Sequence, residues 1–167
     1  MTVERIFTRL TPGGQQAEHK TVRMVAGSGI EGDRHFGRHD DQGQNISFIE
    51  AEEIESFFDE QGLPPDLSVT GRNVVVRGVR LNALVGHEFT VGGLRFRGRE
   101  LCEPCLGLGE RLATPALSAP QVVKRWVAKG GLRADILEDA ERGFARAQRS
   151  RHPSSSRPSS HASVASR

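Results

Sequence analysis

The sequence predicts a mainly β protein of the α+β type, with a few short helices beside its strands. Nineteen glycines in 167 residues indicate many turns, and short runs of β-branched and aromatic residues lie between them. Tyrosine is absent, and eight phenylalanines and one tryptophan are the only aromatic residues, so the core must rest mainly on Val, Leu, Ile and Phe. The predicted strands cover residues 21–26, 45–49, 73–76, 87–91 and 94–99.

The clearest local signal is a hairpin centred on Gly92 and Gly93. Residues 88–91 and 94–97 alternate apolar and polar side chains, which predicts strands with one buried face and one wet face. Paired glycines supply the positive φ angles that a tight two-residue turn requires. We therefore expect an antiparallel pair over these residues.

Helical patterns are fewer. Residues 49–61 place apolar side chains on one face and acidic side chains in the early turns, where the helix dipole favours them, and Gly62 follows as a C-terminal cap. A second helix is predicted from 119 or 120 to 129, with proline near its start and a Gly-Gly pair as its stop. Residues 132–137 then resemble a further strand.

Composition and charge exclude several functional classes. Charged residues make up 26% of the chain and the formal net charge is only +2, so there is no strong case for nucleic-acid binding. The N-terminus lacks a signal-peptide pattern, and no apolar run approaches the roughly 20 residues of a membrane helix. Two cysteines in one short segment would close too small a loop to stabilise a fold. We expect a soluble cytoplasmic protein that binds neither nucleic acid nor membrane.

The length of the chain suits one domain, which we place at residues 1–144. After about Ser150 the composition changes to Ser, Arg, His, Pro and Ala, with almost no large apolar residue. Such a segment cannot offset the entropy of ordering a chain. We therefore predict a disordered tail over residues 145–167.

Cys102 and Cys105 form a Cys-x-x-Cys motif with several interpretations. A thioredoxin-like redox pair would open a helix within a βαβ pattern, whereas this motif follows a hairpin strand and the helical pattern after it is poor. A structural zinc site needs about four ligands, so His35 or His39 would have to fold across. Free cysteines are most often small buried hydrophobes, and that interpretation also stays open.

The surroundings of the motif favour a functional thiolate. Pro104 stiffens the backbone before Cys105, and we expect Gly107 and Gly109 to keep the following segment open to a ligand. A soft thiolate suits a soft metal or a sulfur-transfer step. Nearby cations would lower the pKa of the thiol, and the candidates are Arg34, His35, Arg72 and Arg99.

A second polar segment, residues 29–37, sets a carboxylate, a guanidinium and an imidazole between glycines, namely Asp33, Arg34 and His35. Loops of this kind present polar groups to a ligand, although such an aspartate also often caps its own backbone. Arg72 and Asn73 stand at the start of a predicted strand, and a second interpretation of the asparagine is that it only closes a turn. A planar guanidinium binds phosphate or a pterin edge well. We expect this segment and the cysteine motif to face the same ligand.

Taken in order, several segments resemble the MOSC domain family, named for the C-terminal domain of molybdenum cofactor sulfurases. The resemblance covers roughly residues 22–137. Its carriers are Gly-Asp-Arg-His at 32–35, Asn-Ile-Ser-Phe-Ile-Glu-Ala-Glu at 45–52, Arg-Asn-Val-Val-Val-Arg-Gly-Val at 72–79, Leu-Cys-Glu-Pro-Cys at 101–105 and Gly-Gly-Leu-Arg-Ala at 130–134. Several motifs in one order are much more specific than any one of them alone.

The resemblance implies a MOSC-type β-barrel with short peripheral helices, and molybdenum cofactor (molybdopterin with its metal) as the ligand. In the family pattern the key cysteine follows proline, which assigns the role of catalytic thiolate, persulfide carrier or molybdenum ligand to Cys105. Cys102 is a second candidate ligand, a helper or a bystander. The residues implied to hold the pyranopterin and its phosphate are Asp33, Arg34, His35, Arg72, Asn73 and Arg133.

The implied function is binding of molybdenum cofactor or carriage of sulfur on Cys105. Cofactor sulfurases of this family carry a desulfurase domain with pyridoxal phosphate, for which this chain has no room. We therefore expect sulfur to come from a partner, and the expected partners are a cysteine desulfurase or a molybdoenzyme. Two alternatives stay open: an oxidoreductase whose bound cofactor reduces N-hydroxylated compounds, and a non-catalytic module whose cysteines hold zinc.

Overall fold

The computed structural model describes residues 1–38, 45–140 and 143–147. Its elements in chain order are β1 (Thr2–Thr8), β2 (Ala17–His19), β3 (Thr21–Val22), β4 (Met24–Val25), β5 (Gly29–Ile30), β6 (Ile46–Glu50), α1 (Ala51–Glu60), β7 (Val74–Arg77), a 3-10 turn (Leu81–Leu84), β8 (Glu88–Val91), β9 (Leu94–Leu101), α2 (Leu106–Leu112), α3 (Ala119–Arg125), β10 (Leu132–Ile136) and β11 (Phe144–Ala145). Strands therefore dominate, as the sequence predicts.

Seven strands form one mixed sheet in the order β2-β1-β7-β6-β10-β9-β8. Neighbouring strands are antiparallel except β6 and β7, which run parallel because α1 and the loop after it carry the chain back across the sheet. Two small sheets pair β11 with β3 and β4 with β5. The mainly β class is confirmed. The edge strands β2 and β8 are not paired with each other in the described part of the chain, so the barrel stays a prediction.

The large sheet separates two apolar cores. Adjacent residues of one strand enter different cores: Phe48 packs with Phe89 and Phe96 on one face, while Ile49 packs with helical side chains on the other. This follows from the alternation of side chains along a strand. Because both faces are covered, the central strands are apolar without interruption, as in the Val-Val-Val run of β7.

The predicted hairpin is confirmed. Glu88 of β8 lies opposite Arg97 of β9, and Val91 lies opposite Leu94. The two glycines between the strands have φ angles of 58° and 82°, the left-handed region that an L side chain avoids. Local turn chemistry alone is enough to specify this part of the fold.

The two predicted helices are present with shorter bounds, as α1 and α3. At the end of α1, Gly62 has a φ of 65°, and its N–H donates to Asp59 O while the N–H of Leu63 donates to Phe58 O. That pair of bonds is a Schellman cap. Ser118 and Gln121 form a capping box at the start of α3. No helix of the described residues is long and apolar enough to cross a membrane.

The sequence patterns missed α2, and the expectation that Gly109 keeps this segment open to a ligand is wrong, whereas for Gly107 it stays a prediction. The cysteine motif does open a helix, with Cys105 as the N-cap of α2. Two glycines in seven residues give little helix propensity, but packing overrides it. A Cβ on Gly109 would lie 2.5 Å from Ala119 O, so this glycine lets α2 approach α3 closely.

The patterns also missed β1. Its pairing with β7 shifts register between Val3 and Arg5, and such a bulge breaks the period of two on which strand prediction depends. At the other end of the chain, Phe144 pairs with Val22 and the N–H of Ala147 donates to Val3 O at 2.9 Å. Residues 145–147, which we assigned to the tail, thus have partners, and 148–167 lie outside the described residues.

Candidate functional site

A polar cavity opens where the loop after β5 meets the beginnings of β7 and β10. We call it the arginine cavity. It is lined by Arg9, Gln16, Asp33, Arg34, His35, Ile46, Ser47, Gly71, Arg72, Asn73, Cys102 and Arg133. All six residues predicted to hold the cofactor, and one of the two cysteines, therefore lie around one space.

Strand pairing brings these distant residues together. Ser47 of β6 is the register partner of Arg133 in β10. The parallel pairing of β6 with β7 places Phe48 opposite Val74, so Asn73 lies next to Ser47. The sheet order thus collects residues from opposite ends of the sequence at one edge of the cavity.

Asp33 and Asn73 tie the wall of the cavity together. Asp33 accepts hydrogen bonds from the backbone N–H of His35 and of Arg9, both at 3.0 Å, and from Asn73 Nδ2 at 3.1 Å. Asn73 Oδ1 accepts from the N–H and the hydroxyl of Ser47 at 3.0 and 2.9 Å. Both side chains are occupied by the protein itself, so the geometry fits positioning groups better than ligand contacts.

The arginines of the cavity carry positive charge that is poorly neutralised. Within the described ranges, Arg9, Arg34 and Arg72 form no ion pair, whereas Arg133 pairs with Glu100 at 3.0 Å. Nε of Arg72 donates to Gly130 O at 2.8 Å, which fixes its orientation. Burial lowers the pKa of Arg9, and so do the cations of neighbouring arginines. Such a cavity favours an anionic ligand.

His35 adds an imidazole to this wall. Burial and then the cation of Arg34 lower its pKa, so the ring is neutral near pH 7. Its Nδ1 is buried and has no hydrogen-bond partner among the described residues. A buried polar atom without a partner indicates a place where a ligand or water supplies the missing bond.

The two cysteines lie in opposite environments. Cys102 is 2% exposed and lines the cavity, with its N–H bonded to Gly131 O at 2.8 Å. Burial raises the pKa of its thiol, while the cations of Arg72 and Arg133 act in the opposite direction. Cys105 is exposed at the start of α2 and is not part of the cavity lining. Neither thiol is in a disulfide.

One of the four cations suggested for Cys105 has a carboxylate partner elsewhere. Arg99 pairs with Asp135 of β10. A Cβ on Gly107 would lie 3.9 Å from both Cys105 Sγ and Arg111 Nη1, so this guanidinium and this thiol both lie close to the same glycine. Sequence reasoning missed Arg111 because it missed α2, and it missed Arg9 because it missed β1. A prediction of α2 directly after the cysteine motif would have indicated Arg111, but the two glycines of this helix weaken its sequence pattern.

The described residues contain no group of three or more His, Cys, Asp or Glu side chains that could hold a metal ion. A structural zinc site needs about four such ligands. His35 shares the cavity with Cys102, but His39 lies outside the described residues. The part of the chain described here therefore offers no zinc site.

The model of the MOSC domain family matches residues 31–141, a span that contains every residue we predicted for the site. The chain belongs to the MOSC domain family. This family is generally linked to binding of molybdenum cofactor. A search of curated proteins finds no match for the chain.

Solved structures agree on the fold. YuaD from Bacillus subtilis aligns with a TM-score of 0.69 at 22% identity, over 83% of this MOSC chain and 90% of that one. YiiM from Escherichia coli aligns with a TM-score of 0.55 at 16% identity, over 89% and 71% of the two chains. YiiM from Geobacillus stearothermophilus gives 0.55 at 14% identity, over 83% and 67%. At these identities the similarity concerns the fold alone.

Proposed function

We propose that this MOSC protein binds molybdenum cofactor in the arginine cavity. One observation carries the proposal: a single cavity combines a thiol and a neutral imidazole with arginines that form no ion pair among the described residues. Guanidinium groups bind phosphate through paired hydrogen bonds, and a soft thiolate is a suitable protein ligand for a soft metal. This donor set fits a ligand that carries phosphate, a pterin and molybdenum.

The side chains of the cavity take different roles in this proposal. Arg34, Arg72 and Arg133 would hold the phosphate and the pterin edge, and His35 would supply a hydrogen bond through its unpartnered Nδ1. The resemblance also implies Asp33 and Asn73 as cofactor-holding residues, but here they would position the loop instead. When bound, the cofactor would supply a redox-active metal, which none of the protein side chains can provide.

The metal ligand is the open choice between two thiols. Cys102 is already in the cavity, where a ligand to a bound metal has to be. Cys105 matches the family pattern, and we retain it as the candidate working thiolate, although its side chain points to solvent in part rather than lining the cavity. The two assignments make different predictions for serine variants.

Carriage of sulfur is a second candidate function, and the exposure of Cys105 favours it. An exposed thiolate can form a bond to the terminal sulfur of a persulfide on a donor protein, whose own thiolate then leaves. The resulting Cys105 persulfide would pass its outer sulfur to an acceptor. In this proposal a cysteine desulfurase is the donor and a molybdoenzyme is the acceptor.

The test is to purify the protein from a host that makes molybdenum cofactor and to measure molybdenum and pterin fluorescence. We expect both in near-equal amounts in the wild type. Loss of molybdenum only in Cys105→Ser would assign the ligand to Cys105, and loss only in Cys102→Ser would assign it to Cys102. An Arg125→Gln variant, altered at an exposed ion pair with Glu60, should retain both.

A wild-type protein without molybdenum and pterin would contradict cofactor binding. Sulfur carriage would then be tested separately, by incubating the protein with a cysteine desulfurase and its substrate. Mass spectrometry should find one added sulfur atom on Cys105 in the wild type and none in Cys105→Ser. Absence of the added sulfur in the wild type would contradict this second function.

A further inference from the structure

Two arginines outside the predicted site meet over one glycine. A Cβ on Gly71 would lie 3.3 Å from Arg9 Nη2 and 3.8 Å from Arg111 Nη2. Gly71 has a φ of 75° and no side chain. The guanidinium groups of Arg9, which follows β1, and of Arg111 in α2 can therefore approach the same stretch of backbone. Neither arginine belongs to the residue set implied by the family resemblance.

Among the described residues, no carboxylate forms an ion pair with either of these two arginines. The buried Nε of Arg9 also has no hydrogen-bond partner there. Nε of Arg111 donates to Val69 O at 3.1 Å, and its terminal Nη2 lies near Gly71. Asp33 is the carboxylate that acts on Arg9, but its oxygens already accept three hydrogen bonds.

Like charges held together destabilise a fold unless an anion compensates them. Arg34 is a third cation that acts on Arg9, so three guanidinium groups surround one small region. Phosphate and sulfur oxyanions match guanidinium geometry because they accept several hydrogen bonds at once. Arg111 also lies near Gly107, where the exposed thiol of Cys105 is found.

We propose that Arg9 and Arg111 form an oxyanion site over Gly71, near Cys105. This site binds a dianionic tetrahedral group. The group has two sources of the same chemistry: the phosphate monoester of a bound cofactor, which Arg34 would contact together with this pair, or a sulfane donor such as thiosulfate. With thiosulfate, the thiolate of Cys105 bonds to the outer sulfur, the S–S bond of the donor breaks, and sulfite leaves with the electron pair. The choice of source rests on the proposed function, whereas the site itself does not.

The test uses inorganic phosphate as the probe and the full chain prepared without cofactor. Isothermal titration calorimetry should find that Arg111→Gln and Arg9→Gln each weaken phosphate binding about tenfold or more, because each removes charge-assisted hydrogen bonds. Arg125→Gln is the matched control and should bind phosphate as the wild type does. No binding to the wild type, or unchanged binding to Arg111→Gln, would overturn the proposal.

Thermal unfolding separates an anion site from a structural role. Without added anion, Arg111→Gln should melt at the same temperature as the wild type or higher, because repulsion within the arginine group is reduced. Phosphate should raise the melting temperature of the wild type and leave that of Arg111→Gln nearly unchanged. A lower melting temperature without anion, together with a full phosphate effect, would show that Arg111 only supports the fold.

A thiosulfate arm identifies the source of the oxyanion. Release of sulfite, with one added sulfur atom on Cys105 and neither result in Cys105→Ser, would assign the site to a sulfane donor. Thiosulfate that binds through Arg111 without sulfite release would assign it to a phosphate monoester. Failure of the phosphate titration with intact molybdenum and pterin content would reject the oxyanion site alone. Normal phosphate binding by a protein that purifies without molybdenum and pterin would reject cofactor binding alone.

Discussion

Arginines beside α1 are neutralised by glutamates, whereas three of the four arginines of the arginine cavity form no ion pair among the described residues. Arg77, at the end of β7, bonds Glu55 of α1 through two nitrogens at 2.9 and 2.6 Å and Glu4 through its Nε. Arg80 likewise pairs with Glu50 and Glu53. The cavity holds at least as many arginines around one small space, and Asp33 is the carboxylate among its lining residues.

The contrast indicates what each group of arginines does. Paired arginines on an exposed surface fasten elements together, and each pair contributes modestly because solvent screens it. Unpaired arginines in a cavity repel one another and lower the stability of the protein without ligand. They are typical of a site where the ligand brings the opposite charge. On the proposed function, the same residue type supports the fold beside α1 and binds a ligand in the arginine cavity.

The largest effect on stability should follow from removing the hydrogen-bond network of Asp33, Asn73 and Ser47 in the wall of the arginine cavity. Asn73→Ala removes the amide that joins Ser47 to Asp33 and leaves half-buried polar groups without partners. We expect the free energy of unfolding to fall by about 3 kcal/mol, measured by urea denaturation. Asn82→Ala is the matched control, since its exposed amide donates to Ala128 O, and should lose less than about 1 kcal/mol. Equal losses would argue against the network.

An intermediate effect should separate a paired arginine from an unpaired one. Arg77→Gln should lower the free energy of unfolding by about 1 kcal/mol, discounted for solvent screening, and leave phosphate binding unchanged. Arg34→Gln should change stability by no more than about 0.5 kcal/mol and weaken phosphate binding. Urea denaturation and calorimetry on both variants measure the two quantities. The contrast would fail if Arg77→Gln and Arg34→Gln behaved alike in both.

The smallest effect concerns pH. Burial and the cation of Arg34 hold the pKa of His35 below its ordinary value of 6.5, so the unfolded chain binds a proton at a higher pH than the folded chain does. Stability should therefore fall as the pH drops through about 6.5 and below. In His35→Gln this part of the decline should disappear, as seen in melting temperatures between about pH 8 and pH 5. Identical pH profiles for both proteins would contradict the assignment.

Local chemistry in the sequence was sufficient for several elements. The Gly92-Gly93 turn and the Gly62 cap depend on backbone angles that few residues adopt, so residue type predicts them directly. The ordered motifs of the family resemblance named six residues, and all six line the cavity. Their chemical roles stay predictions, and the bonds of Asp33 and Asn73 change what we expect those two residues to do.

Other features depend on contacts between segments far apart in the chain. A bulge hides the alternation of β1, and α2 forms because Gly109 packs against α3 rather than through helix propensity. Arg9 and Arg111 were therefore invisible to pattern reasoning. The cysteine spacing could not tell which thiol is buried. Cys102 is held in the cavity wall by the bond of its N–H to Gly131 O, just before β10, whereas Cys105 lies at the exposed start of α2. Residue type predicts local turns, whereas shared cavities and burial require the whole chain to be packed.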